Sequence, residues 1–265
     1  MSTIYRPPPV PIDVPAEPAV RLIPLGGLGE IGLNMMLVES GDDIIAVDCG
    51  LLFPDDEMPG VDYVIPDWTY LREQRDRFRA VVLTHGHEDH IGALAYLLRE
   101  FDVPVYGTPL TLAIARHRLT ELGVLASADL RPYQPGDRIR VGGLMVEPIR
   151  VTHSIADGIG LAIDTPAGTV VHTGDFKLDE SPVDAAQPDY ARFRALGERG
   201  VLALCSDSTN VGRPGRTGSE TEVGAALQGR FAQAPGRILV ATFASHIHRI
   251  QQVLNLAAEI GRAHV

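Results

Sequence analysis

The chain has 265 residues, 45% of them hydrophobic and 22% charged, enough to bury a full core and too ordinary in composition to be fibrous or disordered. Its formal charge of −11 excludes a protein that grips nucleic acid through overall positive charge, though not one with a local basic groove. No run approaches the roughly 18 apolar residues of a membrane span, and the N-terminus has neither a basic start nor an apolar signal core, so a cytoplasmic protein with no membrane partner is expected.

In chain order, residues 1–19 carry Pro7, Pro8, Pro9, Pro11, Pro15 and Pro18 with almost no apolar period, which predicts an extended leader outside the fold. Short apolar runs then recur at 20–25, 35–39, 44–48, 80–84, 145–151, 160–164, 169–173 and 201–206, each of strand length. Turn formers at 40–43 and 165–168 join close pairs into hairpins. Helical spacing marks Ile91, Leu94, Leu97 and Leu98, and again Leu110, Ile114, Leu119 and Leu122. Ser219 with Glu222 forms a capping-box pattern ahead of a helix to about Ala232, followed by a strand over 238–242 and a helix over 247–260. Hairpins and helices therefore mix in one α/β chain without an internal repeat. Cys49 and Cys205 are far apart and lack CxxC spacing, which predicts small buried residues rather than a disulfide or a thiolate zinc site.

Gly27-Leu28-Gly29-Glu30-Ile31-Gly32 spells GxGxxG after an apolar run, with Asp48 where a dinucleotide-binding acid would fall. That reading requires a helix straight after the glycines. Here residues 34–38, a turn at 41–43 and residues 44–47 have hairpin length and chemistry, so tight turns beside a site are the better account.

The strongest signal is Thr84-His85-Gly86-His87-Glu88-Asp89-His90, between an apolar strand and a helix. Three imidazoles and a carboxylate so close together cannot all be core packing, and zinc favours neutral imidazole nitrogen with carboxylate oxygen. The spacing lets His85 and His87 serve one ion while Asp89 and His90 face another. His153, Asp175 and Asp48 stand at three further strand ends. Each alone would pass for a turn or a hydrogen-bonded structural residue, but together they make a two-metal centre the economical reading.

HxHxDH followed by a distant His and Asp resembles the metallo-β-lactamase fold, an αββα sandwich with a dinuclear zinc site. Gly26 to Gly32, Asp48-Cys49-Gly50-Leu51 with Phe53-Pro54, Thr84 to Gly92, His172 to Lys177 and Ser206-Asp207-Ser208-Thr209-Asn210 together resemble the ribonuclease J family, from Val20 to Glu259. The resemblance implies that His85, His87 and His153 bind one zinc, that Asp89 and His90 bind the other, that Asp175 bridges them, and that Asp48 orients the cluster from behind. Asp89, Asp175 and Asp48 are thus the carboxylates expected to serve catalysis, with Mn2+ or Mg2+ as substitutes for the two Zn2+. Paired ions of this kind supply a nucleophile from water and neutralise a phosphodiester, and departure of the 3′-oxygen leaves a 5′-phosphate.

It further implies RNA as substrate, preferably with a 5′-monophosphate, cut by 5′-to-3′ exonuclease and endonuclease action in RNA processing and decay. Residues 20–210 would form the metallo-β-lactamase domain and 211–265 the start of a β-CASP domain, the nucleic-acid-specific insertion of the family. Asp207, Ser208, Ser245 and His248 are the substrate-binding candidates. The family more often has Asn where His246 stands, so His246 and His248 are not expected as metal ligands; their helix N-terminus reads either as a place that helps hold phosphate or as one where they cap and pack. The family's last histidine ligand lies beyond this sequence, and residues 260–265 read like translated sequencing adapter. A fragment of a homo-oligomeric parent is therefore expected, with one metal position weakened and some apolar faces uncovered. Two other readings stand beside this one: a hydrolase of a small ester, thioester or lactam on the same fold, and a catalytically dead metal-binding piece.

Overall fold

The computed structural model describes residues 18–262. Residues 1–17 of the expected leader and the last three of the adapter-like end lie outside the described residues. The first sheet begins as the sequence predicts, with β1 (Val20–Gly26), β2 (Met35–Ser40) and β3 (Asp43–Val47) paired antiparallel. The glycine-rich segment is a series of tight turns, with Gly27, Gly29 and Gly32 at φ of 82°, 75° and 106°, and it leads into β2 rather than a helix.

After α1 (Thr69–Glu73), strand β4 (Phe78–Val82) joins β3 in parallel. The helix expected over 91–98 is broken into α2 (Glu88–Ile91) and α3 (Leu94–Leu97). The cause is competition for backbone partners: Asn34 N–H takes the Asp89 carbonyl at 3.0 Å, and Ala93 N–H donates to Cys49 at 3.0 Å. The i to i−4 bond between Ala93 and Asp89 is thereby replaced. β5 (Val105–Gly107), α4 (Pro109–Glu121, with Pro109 at its first position) and β6 (Leu130–Pro132) complete a six-stranded sheet in the order β1-β2-β3-β4-β5-β6.

The second sheet holds β7 (Ile139–Val141), β8 (Leu144–Arg150), β9 (Ile159–Thr165), β10 (Gly168–His172) and β11 (Ala203–Cys205) in the order β11-β10-β9-β8-β7. Before β11 comes α5 (Tyr190–Arg199), whose Asp189 cap accepts from Arg192 N–H at 2.9 Å. Three apolar clusters define the layers. Val38, Ile45, Val47 and Val82 meet Val146, Leu161, Ile163 and Val170 between the sheets. Leu37, Ile44 and Val81 pack beneath Leu71, Leu94, Leu97 and Leu112 of the helices. Ile149, Ala162 and Val171 pack on Phe193 and Leu196 of α5. The result is the expected αββα sandwich.

Helices α6 (Glu220–Gln233) and α7 (Ile247–Glu259) follow the sandwich. Ser219 caps α6 as expected, accepting from Thr221 N–H at 3.2 Å. The strand expected over 238–242 is absent: no described strand pairs with it, and Leu239 is 89% exposed. An apolar β-prone run without a neighbouring edge has no ladder to join. Phe243 and Val211 are likewise exposed. Cys49 is buried and Cys205 half-buried, both free.

Candidate metal centre

The sheets bring their strand ends to one edge. β3 and β4 run parallel and carry Asp48 and His85 just past their C-terminal ends. β8 and β10 are both antiparallel to β9, so they point the same way and carry His153 and Asp175. β11, parallel to β10, carries Asp207. A residue placed after any of these strands therefore faces the same cleft.

Asp48 sits in the left-handed region at φ 62° and is 1% exposed. Its Oδ1 accepts from Thr84 N–H at 2.7 Å, and its Oδ2 lies 2.7 Å from both Thr84 Oγ1 and His90 Nδ1. The carboxylate can only accept, so His90 carries a proton on Nδ1 and turns Nε2 toward the cleft, where that nitrogen can serve a cation. Thr84 repeats the device: its hydroxyl hydrogen goes to Asp48, so at 3.0 Å it accepts from His85 Nδ1 and leaves His85 Nε2 bare.

Two donor groups result. In the first, His87 Nδ1 lies 3.1 Å from His85 Nε2 and 3.2 Å from His153 Nε2. A hydrogen bond joining one of these pairs would leave the third nitrogen facing a lone pair, whereas a cation among them satisfies all three. In the second, Asp175 Oδ1 is 3.4 Å from His90 Nε2, and its Oδ2 is 3.9 Å from His85 Nε2 and 3.6 Å from His153 Nε2. His85 belongs to both groups, and Asp175 turns one oxygen to each side.

The electrostatics suit the first donor group and Asp175. Burial, reinforced by neighbouring imidazoles, drives His85 well below its ordinary value and His87 down to about 4. Burial likewise lowers His153 to about 4, against the pull of Asp175. All three are neutral at pH 7, as a metal requires. Burial opposes ionisation of Asp175, but the hydrogen bond and charge of His90 outweigh it and hold Asp175 at about 2. The same opposition runs through His90, where Asp48 and Asp175 overcome burial and raise it, so that with no ion present Nε2 also carries a proton toward Asp175, one that a cation on that nitrogen would displace. The residues therefore fit two divalent cations: neutral imidazoles converge on one point, and a shared histidine and a divergent carboxylate serve the next.

Asp89 stands at the rim of the second group rather than inside it, with Oδ2 3.6 Å from His90 Nε2 and its pKa raised by burial. It is held by Asn34, whose Nδ2 lies 3.1 Å from the Asp89 carbonyl, from Asp89 Oδ2 and from His90 Nε2. An amide with two hydrogens cannot serve all three positions fully, and a cation on His90 Nε2 would take over the third. Asn34 and Thr84 escaped the sequence analysis as functional residues. Asn34 left only a weak signal, an amide two residues after Gly32 at the entry to β2, whereas Thr84 opens the histidine motif itself.

Asp207 faces the same region, but its carboxylate is engaged: it accepts from Phe176 N–H at 3.3 Å, Thr209 N–H at 2.9 Å and Thr209 Oγ1 at 2.8 Å. It thus braces the loop that carries Asp175. Ser208 lines two open clefts over the donor groups, of about 640 and 960 Å3. Ser245 is exposed and lines neither. His246 caps α7 by accepting from Arg249 N–H at 3.4 Å, and His248 turns its Nε2 toward Asp184 at 3.6 Å. Neither belongs to the two donor groups, although the charge of His246 is felt at His87 and His248 lines a small pocket with His153.

Comparison with known proteins places this geometry. Residues 28–226 match the metallo-beta-lactamase superfamily, and residues 235–265 match the ribonuclease J beta-CASP domain. A ribonuclease J from Synechocystis is 49% identical over 241 residues, covering 90% of this chain and 38% of the relative. Another from Thermus thermophilus is 49% identical over 250 residues, covering 92% and 44%. The chain thus spans about two fifths of the length of these relatives. A solved structure of a protein of unknown function from Enterococcus faecalis V583 superposes with a TM-score of 0.64 at 19% identity, covering 89% of this chain and 63% of that one, a likeness of fold.

Proposed function

The chain belongs to the metallo-β-lactamase superfamily, and on that premise we propose that it carries the metal centre of a ribonuclease J-type enzyme that hydrolyses RNA phosphodiesters. The observation that carries the reading is the pair of donor groups sharing His85 and flanking Asp175 beneath wide clefts. Room of this size suits a polymer more than a small ester or lactam. We assign His85, His87 and His153 to one Zn2+, and His90 with Asp89 to the other, Asp175 lying between them; Mn2+ or Mg2+ would be substitutes. When bound, the two ions supply a nucleophile from water near neutral pH and offset charge on the phosphodiester.

The chain's own residues prepare for that chemistry. Asp48 and Thr84 fix the protons of His90 and His85 on their far nitrogens, keeping the near ones as donors at every approach of substrate. Asp207 steadies the Asp175 loop, and Ser208 is placed to meet the substrate backbone. Ser245 and His248 are assigned to the substrate on the resemblance of their segment alone. A 5′-monophosphorylated RNA, 5′-to-3′ and internal cleavage, and a cytoplasmic location complete the proposal. So does a division near residue 210 between a metallo-β-lactamase domain and β-CASP sequence. No described helix is long and apolar enough to cross a membrane.

The test is digestion of a 5′-monophosphorylated, 3′-labelled RNA by the purified chain with zinc or manganese, beside His85→Ala. Stepwise loss of nucleotides that the substitution abolishes is the expected result. Zinc uptake without any cleavage of RNA would leave a metal-binding protein and remove the ribonuclease reading for this chain.

A further inference from the structure

Helices α6 and α7 are attached to the sandwich through polar groups. None of its three apolar clusters includes a residue of either helix. The attachments converge on the segment that leaves Asp175. Asp179, 4% exposed, accepts from Glu220 N–H at 3.1 Å and so caps the first turn of α6 from a different part of the chain. Ser219 and Thr221 hydroxyls donate to the Ser181 carbonyl at 2.8 and 2.6 Å. The Glu220 carboxylate accepts from Arg249 of α7 at 2.6 Å and stands 3.5 Å from Lys177 Nζ, which is 3.7 Å from Asp179.

Lys177 is gripped from the opposite side as well. Its N–H donates to the Thr152 carbonyl at 2.7 Å, and Thr152 Oγ1 donates to the Lys177 carbonyl. Two residues beyond Asp175, the chain is therefore held between the strand end that carries His153 and the helix pair. Partly exposed ion pairs are weak one by one and are screened by salt, so the helices stay docked only while the set acts together.

We propose that Lys177, Asp179 and Glu220 form a latch through which docking of α6 and α7 sets the place of Asp175. Glu220 is then a positioning residue for the metal position built on His85, His90 and Asp175. The inference rests on the metal-centre reading given above. It adds that the region after the sandwich acts more strongly on the ion position that takes Asp175 than on the one built on His85, His87 and His153, which the latch reaches only through the Thr152–Lys177 bonds beside His153 and through Asp175 Oδ2.

Two readouts on the 265-residue protein test it, neither requiring activity. Cobalt(II) titration followed by visible absorption distinguishes the two positions. Amine acylation mapped by mass spectrometry reports the latch, because Lys177 is the sole lysine. In Glu220→Gln, Lys177 acylation should accelerate severalfold, and affinity for the second ion should fall by about 10- to 100-fold while the first falls less. Arg249→Ala, which removes the partner of Glu220 and leaves Glu220 in place, should act in the same direction, with far-UV circular dichroism confirming helix content in both variants. Faster acylation with both affinities unchanged overturns the positioning role, and unchanged acylation overturns the latch. A wild-type protein that takes up no cobalt removes the metal-centre reading itself and this inference with it.

Discussion

Replacing Asp48 by Asn tests the whole arrangement with one atom. The Asp48 carboxylate receives Thr84 N–H, Thr84 Oγ1–H and His90 Nδ1–H, each at 2.7 Å, in a site that is 1% exposed. An Asn that keeps its oxygen toward Thr84 N–H turns its NH2 toward Thr84 Oγ1 and His90 Nδ1. Nδ1 can then only accept, so the His90 proton moves to Nε2, the nitrogen that faces Asp175 at 3.4 Å. The loss of one buried charge-assisted hydrogen bond costs about 1.5–3 kcal/mol of stability, and loss of the tautomer costs the second ion about 10- to 100-fold in affinity. Zinc titration against a competing chelator reads the affinity, and nitrogen-15 shifts of His90 read the tautomer. A variant that binds two ions at wild-type affinity, with the His90 proton still on Nδ1, would refute the claim that Asp48 sets the donor face.

Gly50→Ala should weaken both fold and metal binding: its Cβ would lie 1.6 Å from the Asp89 carbonyl, and the required shift of α2 costs about 1–3 kcal/mol or more, visible as a lower Tm. Chelation should lower Tm as well, since an ion held at 100 times its Kd adds about 2.7 kcal/mol; a melting curve unmoved by chelator and by added zinc would count against the centre. Glu39 predicts an acid limb of stability. Burial disfavours its charge, but Tyr70, Arg77 and Arg21 outweigh that and lower its pKa below the ordinary 4.5. Its contribution is thus complete above pH 4.5 and disappears as pH falls through the lower folded value. Glu39→Gln should be less stable near neutrality and flatter below pH 4.5 in denaturant melts.

What was legible in the sequence follows from how local each signal is. The ligands could be read because metal chemistry restricts residue type, and strand ends restrict where those residues stand: His85, His87, His90, His153 and Asp175 are all brought together. Long strands such as β8 and β9 declare themselves by apolar runs, whereas β5, β6 and β7, three residues each, are too short to carry a period. Helix α5 was missed for a related reason. Among its residues only Leu196 is buried, and a single apolar anchor leaves no stripe.

The remaining differences are contests that no single segment records. The run over 238–242 has strand propensity, but strand formation requires a partner edge, and none of the described strands offers one. The helix over 91–98 has helical spacing, yet the backbone of Asn34 and the carbonyl of Cys49, both distant in sequence, take the hydrogen bonds that would have continued it. That break has a consequence for the site. It leaves the Asp89 carbonyl bound to Asn34 rather than to the next helical turn, so Asp89 and His90 sit on a short helix fastened to the strand loop that carries Asp48, Cys49 and Gly50. The local rule fails where the fold needs a rigid platform for its second donor group, as expected when positioning of ligands outweighs regular helix geometry.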